Sequence, residues 1–333
     1  MPKRIVLPER GRIELQAFDL PADSPPAGQV RVRTICSLIS TGTELTVLDG
    51  RYEPGTSFDR WVRYPFPMGY AVIGRIEALG SGTEGLEQGQ LVAARAPHAS
   101  HHLLDASRVV AVPTGIEPAD AAWFALAKIA FTGALAAEYR LGDTVAVIGA
   151  GPIGQMSIRW AAVSGARRVI AIDPCGERLE LAGRGGAAAT IAEPVERCEA
   201  ALRQANAGEL PDTVIEATGH PAVFSNALTL VADRGRLVLL GDTGYPSKQH
   251  LTYDVIRRGL SIRGAHDTHE TPRWTAASIA ALFFELVQRE RFDLGGLNTH
   301  VFDAADFQDA YDIARQGRCQ TMGLILDWSR CDG

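Results

Sequence analysis

The chain has 333 residues, of which 46% are hydrophobic and 22% charged, the balance of a soluble protein whose core is large enough for two ordinary domains. Lysine plus arginine number 33 against 39 aspartate plus glutamate, so the formal net charge is −6 and no basic block marks the chain as a nucleic-acid binder.

In chain order, residues 1–115 read as short β runs punctuated by Gly and Pro. The runs 29–35, 71–80 and 90–94 alternate with period two, which predicts a small antiparallel barrel or sandwich. An alanine-rich helix is expected over 121–139. Strands then alternate with helices: apolar runs at 144–149, 168–173, 213–218, 236–241 and 260–265 are separated by helix-length segments, the pattern of a parallel sheet covered on both faces. Ile153, Met156, Trp160 and Val163 recur at helical spacing and belong to the core. The tail predicts helix 276–289, strand 299–302, helix 304–315 and strand 321–326.

Five cysteines, Cys36, Cys175, Cys198, Cys319 and Cys331, include no C-x-x-C pair. Their odd number predicts neither a disulfide framework nor a thiolate zinc knuckle, and a reducing compartment is expected. Three apolar residues before Pro8 are too few for a signal peptide, and the longest uncharged stretches, 144–158 and 217–232, are broken by Gly and Pro. The expectation is a cytoplasmic protein that contacts no membrane.

Gly149-Ala-Gly151-Pro152-Ile153-Gly154 is a G-x-G-x-x-G that follows a predicted strand and opens a helix, the context in which this motif signals dinucleotide binding. Gly149 permits the tight turn, Gly151 lets the backbone approach a pyrophosphate, and Gly154 lets helix and strand pack closely. The helix start beginning at Pro152 and Ile153 offers its N–H groups to the phosphates. Asp173 ends the next strand 19 residues beyond Gly154, where a carboxylate accepts the adenosine ribose hydroxyls and repels a 2′-phosphate. NAD is therefore favoured over NADP, with Arg178 nearby to soften the choice.

The order of parts, together with the segments starting at Gly69-Tyr-Ala-Val-Ile-Gly, Leu141-Gly-Asp-Thr-Val and Glu216-Ala-Thr-Gly219, resembles the medium-chain dehydrogenase/reductase superfamily of zinc-type alcohol, polyol and threonine dehydrogenases. The resemblance implies an α/β fold in which a doubly wound Rossmann sheet is inserted into a GroES-like β-rich catalytic domain. Residues 1–125 and 267–333 would form the catalytic domain and 126–266 the insert. It further implies a homodimer, and it puts Thr218, Leu240, Asp242, Ala265 and Asp267 around the nicotinamide and its ribose, with His266 and His269 near the cleft.

The departures from that family are equally informative. Ser40 stands where the first zinc ligand belongs, Tyr70 replaces the second and Phe124 the third, and the lobe that carries structural zinc is replaced by a short loop. These positions lack the donors a tetrahedral zinc needs, so no metal is expected.

Without zinc, a side chain must handle the hydroxyl proton and the developing oxyanion. Lys128, four residues after Phe124 and expected beside the nicotinamide, is the first candidate, as a base whose pKa the cationic nicotinamide and exclusion from water would depress. His98 is the second, with the unperturbed chemistry of a proton shuttle. Tyr70 should point into the former metal site, and Ser40 and Thr43 extend a relay, with Glu44 orienting a neighbour or capping a helix. His98, His101 and His102 do not form a standard metal spacing. Arg51, Arg60 and Arg63, among Tyr52, Trp61 and Tyr64, would border the substrate mouth. The leading expectation is a zinc-independent alcohol dehydrogenase or ketoreductase acting on a small molecule, polyol-like or a specialised metabolite. The alternatives are a quinone or enoyl reductase of the same superfamily, or a non-catalytic dinucleotide-binding protein.

Overall fold

A computed structural model describes residues 1–21 and 24–331. The chain starts with β1 (Lys3–Glu9), β2 (Arg12–Ala17) and the long β3 (Gln29–Ile39), followed by α1 (Thr41–Asp49) and α2 (Ser57–Trp61). Then come β4 (Phe66–Pro67), β5 (Val72–Leu79), β6 (Leu91–Ala94), β7 (His101–Asp105) and β8 (Val109–Ala111). β3 alternates buried and open residues over its first half and is buried throughout its last four positions, because it enters the middle of a sheet there.

The short α3 (Pro118–Ala121) and α4 (Phe124–Ala137) lead into the parallel half. It runs β9 (Thr144–Ile148), α5 (Pro152–Val163), β10 (Arg168–Ile172), α6 (Gly176–Arg184), β11 (Ala189–Ile191) and α7 (Glu199–Ala205). It continues through β12 (Thr213–Glu216), α8 (Pro221–Thr229), β13 (Arg236–Leu239), α9 (Asp254–Arg257) and β14 (Ser261–Gly264). These six strands are all parallel, in the order β11-β10-β9-β12-β13-β14. Every residue of β9 is buried, as a central strand covered on both faces requires. The order reverses between β9 and β12, the switch point outside whose carboxyl ends a ligand crevice forms.

The tail supplies α10 (Ala276–Gln288), β15 (Asn298–Asp303), α11 (Phe307–Gln316) and β16 (Gly323–Asp327). β16 returns to pair antiparallel with β3, Leu324 opposite Ile39 and Asp327 opposite Cys36, in a seven-stranded mixed sheet with β15, β5, β6, β8 and β7. The fold is thus a doubly wound parallel sheet inserted into a β-rich unit made from both ends of the chain. The expected limits at 125/126 and 266/267 fall within α4 and in the connection after β14.

α4 joins the two halves. Phe131 packs edge-on against both Trp160 of α5 and Trp274 of the return segment, and Trp160 packs against Phe292. Arg159, 1% exposed, donates to the carbonyls of Gln155 and of Asp293, so α5 is also tied to the return segment by hydrogen bonds. Pro118–Ala137 is the one helical stretch among the described residues long and apolar enough to cross a membrane, and 67% of its apolar window is buried inside the protein.

The cysteines correct the expectation. Cys175 and Cys319 form a disulfide across 144 residues, with Cα atoms 5.3 Å apart, while Cys36, Cys198 and Cys331 are free and buried. The bridge runs from the start of α6 to the turn before β16, so it joins two separately built parts of the fold and leaves no trace in cysteine spacing.

Candidate active site

The end of the crevice expected to take adenosine is built from β9, the glycine turn, α5 and β10. Gly149 has φ +91°, a conformation costly for any residue with a Cβ, and Thr218 lies against it from the neighbouring strand end. At Gly154 a Cβ would sit 1.8 Å from the carbonyl oxygen of Gly149, so only glycine lets α5 start this close to β9. Gly151 is the N-cap of α5 and Pro152 its first residue, where a missing N–H costs nothing. Ile153 is partly buried beneath the turn.

Asp173 follows β10 and faces this turn: its Oδ2 accepts the N–H of Ala150 at 2.8 Å and its Oδ1 the N–H of Cys175 at 2.9 Å. Arg178 approaches Oδ2 to 3.9 Å and donates to the carbonyl of Arg318. Burial lowers the Arg178 pKa, and Asp173 works against that shift. Acidic group, glycine turn and helix start therefore converge as the motif predicts.

Farther along the crevice, Glu216 is wholly buried at the end of β12 and accepts the N–H and hydroxyl of Thr218 and the N–H of Gly219. Burial pushes its pKa up to about 7, against the lowering effect of those donors. The turn after β12 packs on the turn after β13, where Leu240 is buried, Asp242 is exposed and the Asp242 carbonyl abuts Gly219. Ala265 donates its N–H to Leu239 and brings the next residues to the same edge.

At the opposite end Asp267 is the hub. Its carboxylate meets Arg95 Nη2 at 2.5 Å and Lys128 Nζ at 2.9 Å, and its carbonyl accepts from Lys128 as well. Glu270 is 3.3 Å from the same Nζ. The Lys128 side chain is 6% exposed, and three acceptors surround its one nitrogen, which suits a donor with three protons and no lone pair and corrects the expectation of a base. The Arg95 guanidinium also lies 4.5 Å over the ring of Tyr70. The Tyr70 hydroxyl donates to Ser40 Oγ at 2.5 Å, with Thr43 Oγ1 at 3.4 Å. Burial raises the pKa of this phenol, opposed by Arg95 and by the two hydroxyl contacts. Tyr70, Ser40, Thr43, Arg95, Asp267 and Lys128 thus form one connected set.

His98 lies elsewhere, and its assignment as a proton shuttle needs correction. It is 0% exposed, with Nδ1 2.8 Å from Ser37 Oγ and Nε2 3.1 Å from Glu44 Oε2. Trp328 donates to the same Ser37, Tyr311 to the same Glu44, and the Ser40 N–H to Glu44 Oε1. With both ring nitrogens occupied inside the core, His98 cannot touch a substrate; it braces the Ser40 backbone through Glu44. His102 is also buried, its pKa lowered to about 4 by burial.

The arginines of the mouth are likewise engaged locally. Arg60 donates to the Gly55 carbonyl, Arg63 to the Val62 and Asp59 carbonyls, and Arg51 pairs with Asp49. They hold their own loop and do not converge on an anion. His266 and His269 are exposed and face each other across a short turn.

Zinc does not fit the three ligand positions. Phe124 packs in the core against Phe284, the Tyr70 hydroxyl is spent on Ser40, and a guanidinium covers the Tyr70 ring. Among the described residues no group of three or more His, Cys, Asp or Glu converges to hold a metal. Arg95 and Glu270 are not legible as site residues in the sequence; the only sign of Arg95 is a charge directly after the apolar run of β6.

Comparison with known proteins agrees with this architecture. The zinc-binding dehydrogenase family matches residues 152–281. L-threonine 3-dehydrogenase of Bacillus subtilis (strain 168) is 34% identical over 55% of this chain and 51% of its own length, so the chain spans about half the length of the curated relatives it matches at that identity. The L-threonine 3-dehydrogenase of Anaeromyxobacter dehalogenans (strain 2CP-C) is 27% identical over 93% of this chain and 94% of its own. Among solved structures, an Escherichia coli oxidoreductase/dehydrogenase of unknown specificity superimposes with a TM-score of 0.84 at 18% identity, covering 98% of this chain and 99% of that one. Galactitol-1-phosphate dehydrogenase from Escherichia coli gives a TM-score of 0.80 at 22% identity, with the same coverage. At these identities the structures speak for the fold alone.

Proposed function

We propose, from the premise that the chain belongs to the medium-chain dehydrogenase/reductase superfamily, that it is a zinc-independent, NAD-linked oxidoreductase interconverting a secondary alcohol and a ketone. The observation that carries this reading is the replacement of a metal-binding donor set by a linked ammonium and phenol, Lys128 through Asp267 and Arg95 to Tyr70. A polyol-like compound or a specialised metabolite is the proposed substrate.

Gly149, Gly151 and Gly154 with the start of α5 would hold the pyrophosphate, Asp173 the adenosine ribose, and the turns at Thr218, Leu240 and Ala265 the nicotinamide end. When bound, the nicotinamide supplies the hydride acceptor for an alcohol, or the hydride donor for a ketone. Lys128, held by Asp267 and Glu270, serves as hydrogen-bond donor to the substrate oxygen, stabilising negative charge there as it grows. Glu270, whose side chain is 42% exposed, is the partner that a substrate oxygen can displace. Tyr70 keeps its proton through the neutral range because burial raises its pKa, and Ser40 and Thr43 accept from it in turn. That hydroxyl pair orients Tyr70 toward the substrate oxygen, and the hydroxyl proton passes to water in alcohol oxidation and is taken from water in ketone reduction. Asp267 holds Lys128 and Arg95 in one register, so the two proton-bearing groups keep their spacing.

The donor set supports zinc independence, and Asp173 supports a preference for NAD. Assembly as a homodimer through the free edge of β14 belongs to the same proposal: Leu251, Tyr253 and Ile256 beside that edge are 67%, 74% and 83% exposed. So does a cytoplasmic location. The test is NADH formation measured against a panel of polyols, amino alcohols and hydroxylated aromatics. Turnover of at least one secondary alcohol is expected; none with either NAD or NADP would contradict the assignment.

A further inference from the structure

The Cys175–Cys319 bridge sits at one end of the cofactor crevice. Cys175 is the N-cap of α6, two residues after Asp173, and its own N–H is bonded to Asp173 Oδ1. Cys319 lies in the exposed turn 317–320 between α11 and β16, which belongs to the β-rich half of the fold. Arg178, one turn into α6, donates to the carbonyl of the adjacent Arg318. One covalent link and one hydrogen bond therefore hold the 317–320 turn against the turn that carries Asp173. In this bridged state the Asp173 side chain is 6% exposed, and each of its oxygens accepts one backbone N–H and keeps a further lone pair. A carboxylate that is to accept ribose hydroxyls must first be uncovered.

We propose that Cys175 and Cys319 form a reversible thiol-disulfide site that locks the adenosine end of the crevice, closed to the dinucleotide when bridged and open when both thiols are free. The inference rests on the reading of Asp173 as the ribose ligand. Its location gives the bridge leverage: it spans the two halves between which the cofactor enters, so it restrains both the turn and their separation.

The chemistry is thiol-disulfide exchange with a small dithiol or a low-molecular-weight disulfide. In the opening direction a dithiol thiolate attacks the sulfur of Cys319, a residue exposed in its turn, Cys175 leaves as thiolate, and the second thiol of the reagent then expels Cys319, which releases the cyclic disulfide. Closing transfers two electrons and two protons from the two cysteines to a low-molecular-weight disulfide, which departs as two thiols. The other cysteines do not compete. Cys36, Cys198 and Cys331 are buried, and burial pushes the thiols of Cys36 and Cys198 up to about 12 and about 11.

The experiment equilibrates the full chain with oxidised or reduced dithiothreitol, reads the bridge by alkylation and mass spectrometry, and titrates NADH and NADPH by fluorescence. The same titrations on Cys319→Ser and Cys175→Ser supply chains that cannot close. Reduced wild type and both variants should bind NADH about tenfold or more tightly than the bridged wild type, and only the wild type should respond to the redox state. Equal affinities in the two states, a response that persists in Cys319→Ser, or failure of the bridge to form with oxidised dithiothreitol would each overturn the lock. If reduced wild type and both variants bind neither nucleotide, the reading of Asp173 falls and the lock with it; NADH binding without a redox response overturns the lock alone.

Discussion

The two ends of the crevice are held by different means. At the adenosine end, Gly149, Gly154 and Asp173 lie within one strand-turn-helix-strand unit and are positioned by backbone contacts between near neighbours, such as Ala150 N–H to Asp173. At the substrate end, Tyr70, Arg95, Lys128 and Asp267 come from four separate segments, and a salt bridge joins Lys128 and Asp267 across 139 residues. A local unit that binds a constant ligand keeps its motif. A constellation drawn from separate segments depends on long-range packing to bring its members together, so no local motif announces it.

This contrast is probed first at Lys128. Lys128→Met should lower turnover about 10²–10⁴-fold, the usual worth of a positioned proton-bearing group, while NADH affinity stays within a few-fold. Steady-state kinetics with a parallel NADH titration reads both, and an unchanged turnover would remove Lys128 from the chemistry. Lys128→Arg should recover part of the rate, since it restores the charge beside Asp267 and Glu270.

Glu216 gives the next largest effect, on stability. Its folded pKa of about 7 exceeds the ordinary value of 4.5, so the folded state holds a proton that the unfolded chain releases between those values. The stabilisation is complete below about pH 4.5 and is lost as pH rises through 7. Relative to Glu216→Gln, the wild type should lose of order 2 kcal/mol between pH 5 and pH 8 in urea unfolding. Parallel pH profiles of the two proteins would contradict the buried, protonatable carboxyl beneath the nicotinamide turn.

At the adenosine end, Asp173→Ala removes the acceptor for the ribose and the partner of Arg178. NADH binding should weaken by about tenfold or more and the NADPH to NADH preference should rise, because the repulsion of a 2′-phosphate is gone. Fluorescence titration with both nucleotides decides it. The smallest effect is expected at Tyr70: Tyr70→Phe keeps the ring under Arg95 but removes the donor to Ser40, and should slow turnover about tenfold with little change in thermal stability. A loss of stability without a change in rate would make Tyr70 a packing residue.

Much of the adenosine end is legible in the amino-acid sequence because its signals are local: an apolar strand run, a glycine triplet, and an acidic residue at the end of the next strand. The six parallel strands are readable in the same way, except the short β11, whose three residues carry too little pattern. That Ser40, Tyr70 and Phe124 are not ordinary zinc donors can be read directly from the residue types. What replaces them is not, since nothing in the vicinity of Lys128 announces that residues 267 and 270 return to meet it. His98 shows the opposite failure. Its residue type suggests chemistry, but tertiary packing encloses it between Ser37 and Glu44, far from solvent. The Cys175–Cys319 pair escapes for the same reason as Asp267, a contact between distant segments that only the closing of β16 onto β3 creates.

In the proposed mechanism, fixed charges and hydroxyls do here what zinc does in related enzymes. The most direct test is the rate of NADH-dependent ketone reduction before and after exhaustive dialysis against a strong zinc chelator, with metal content measured on the same samples. No stoichiometric zinc and an unchanged rate are expected. About one zinc per chain, with activity that disappears on chelation and returns on adding zinc, would contradict the mechanism.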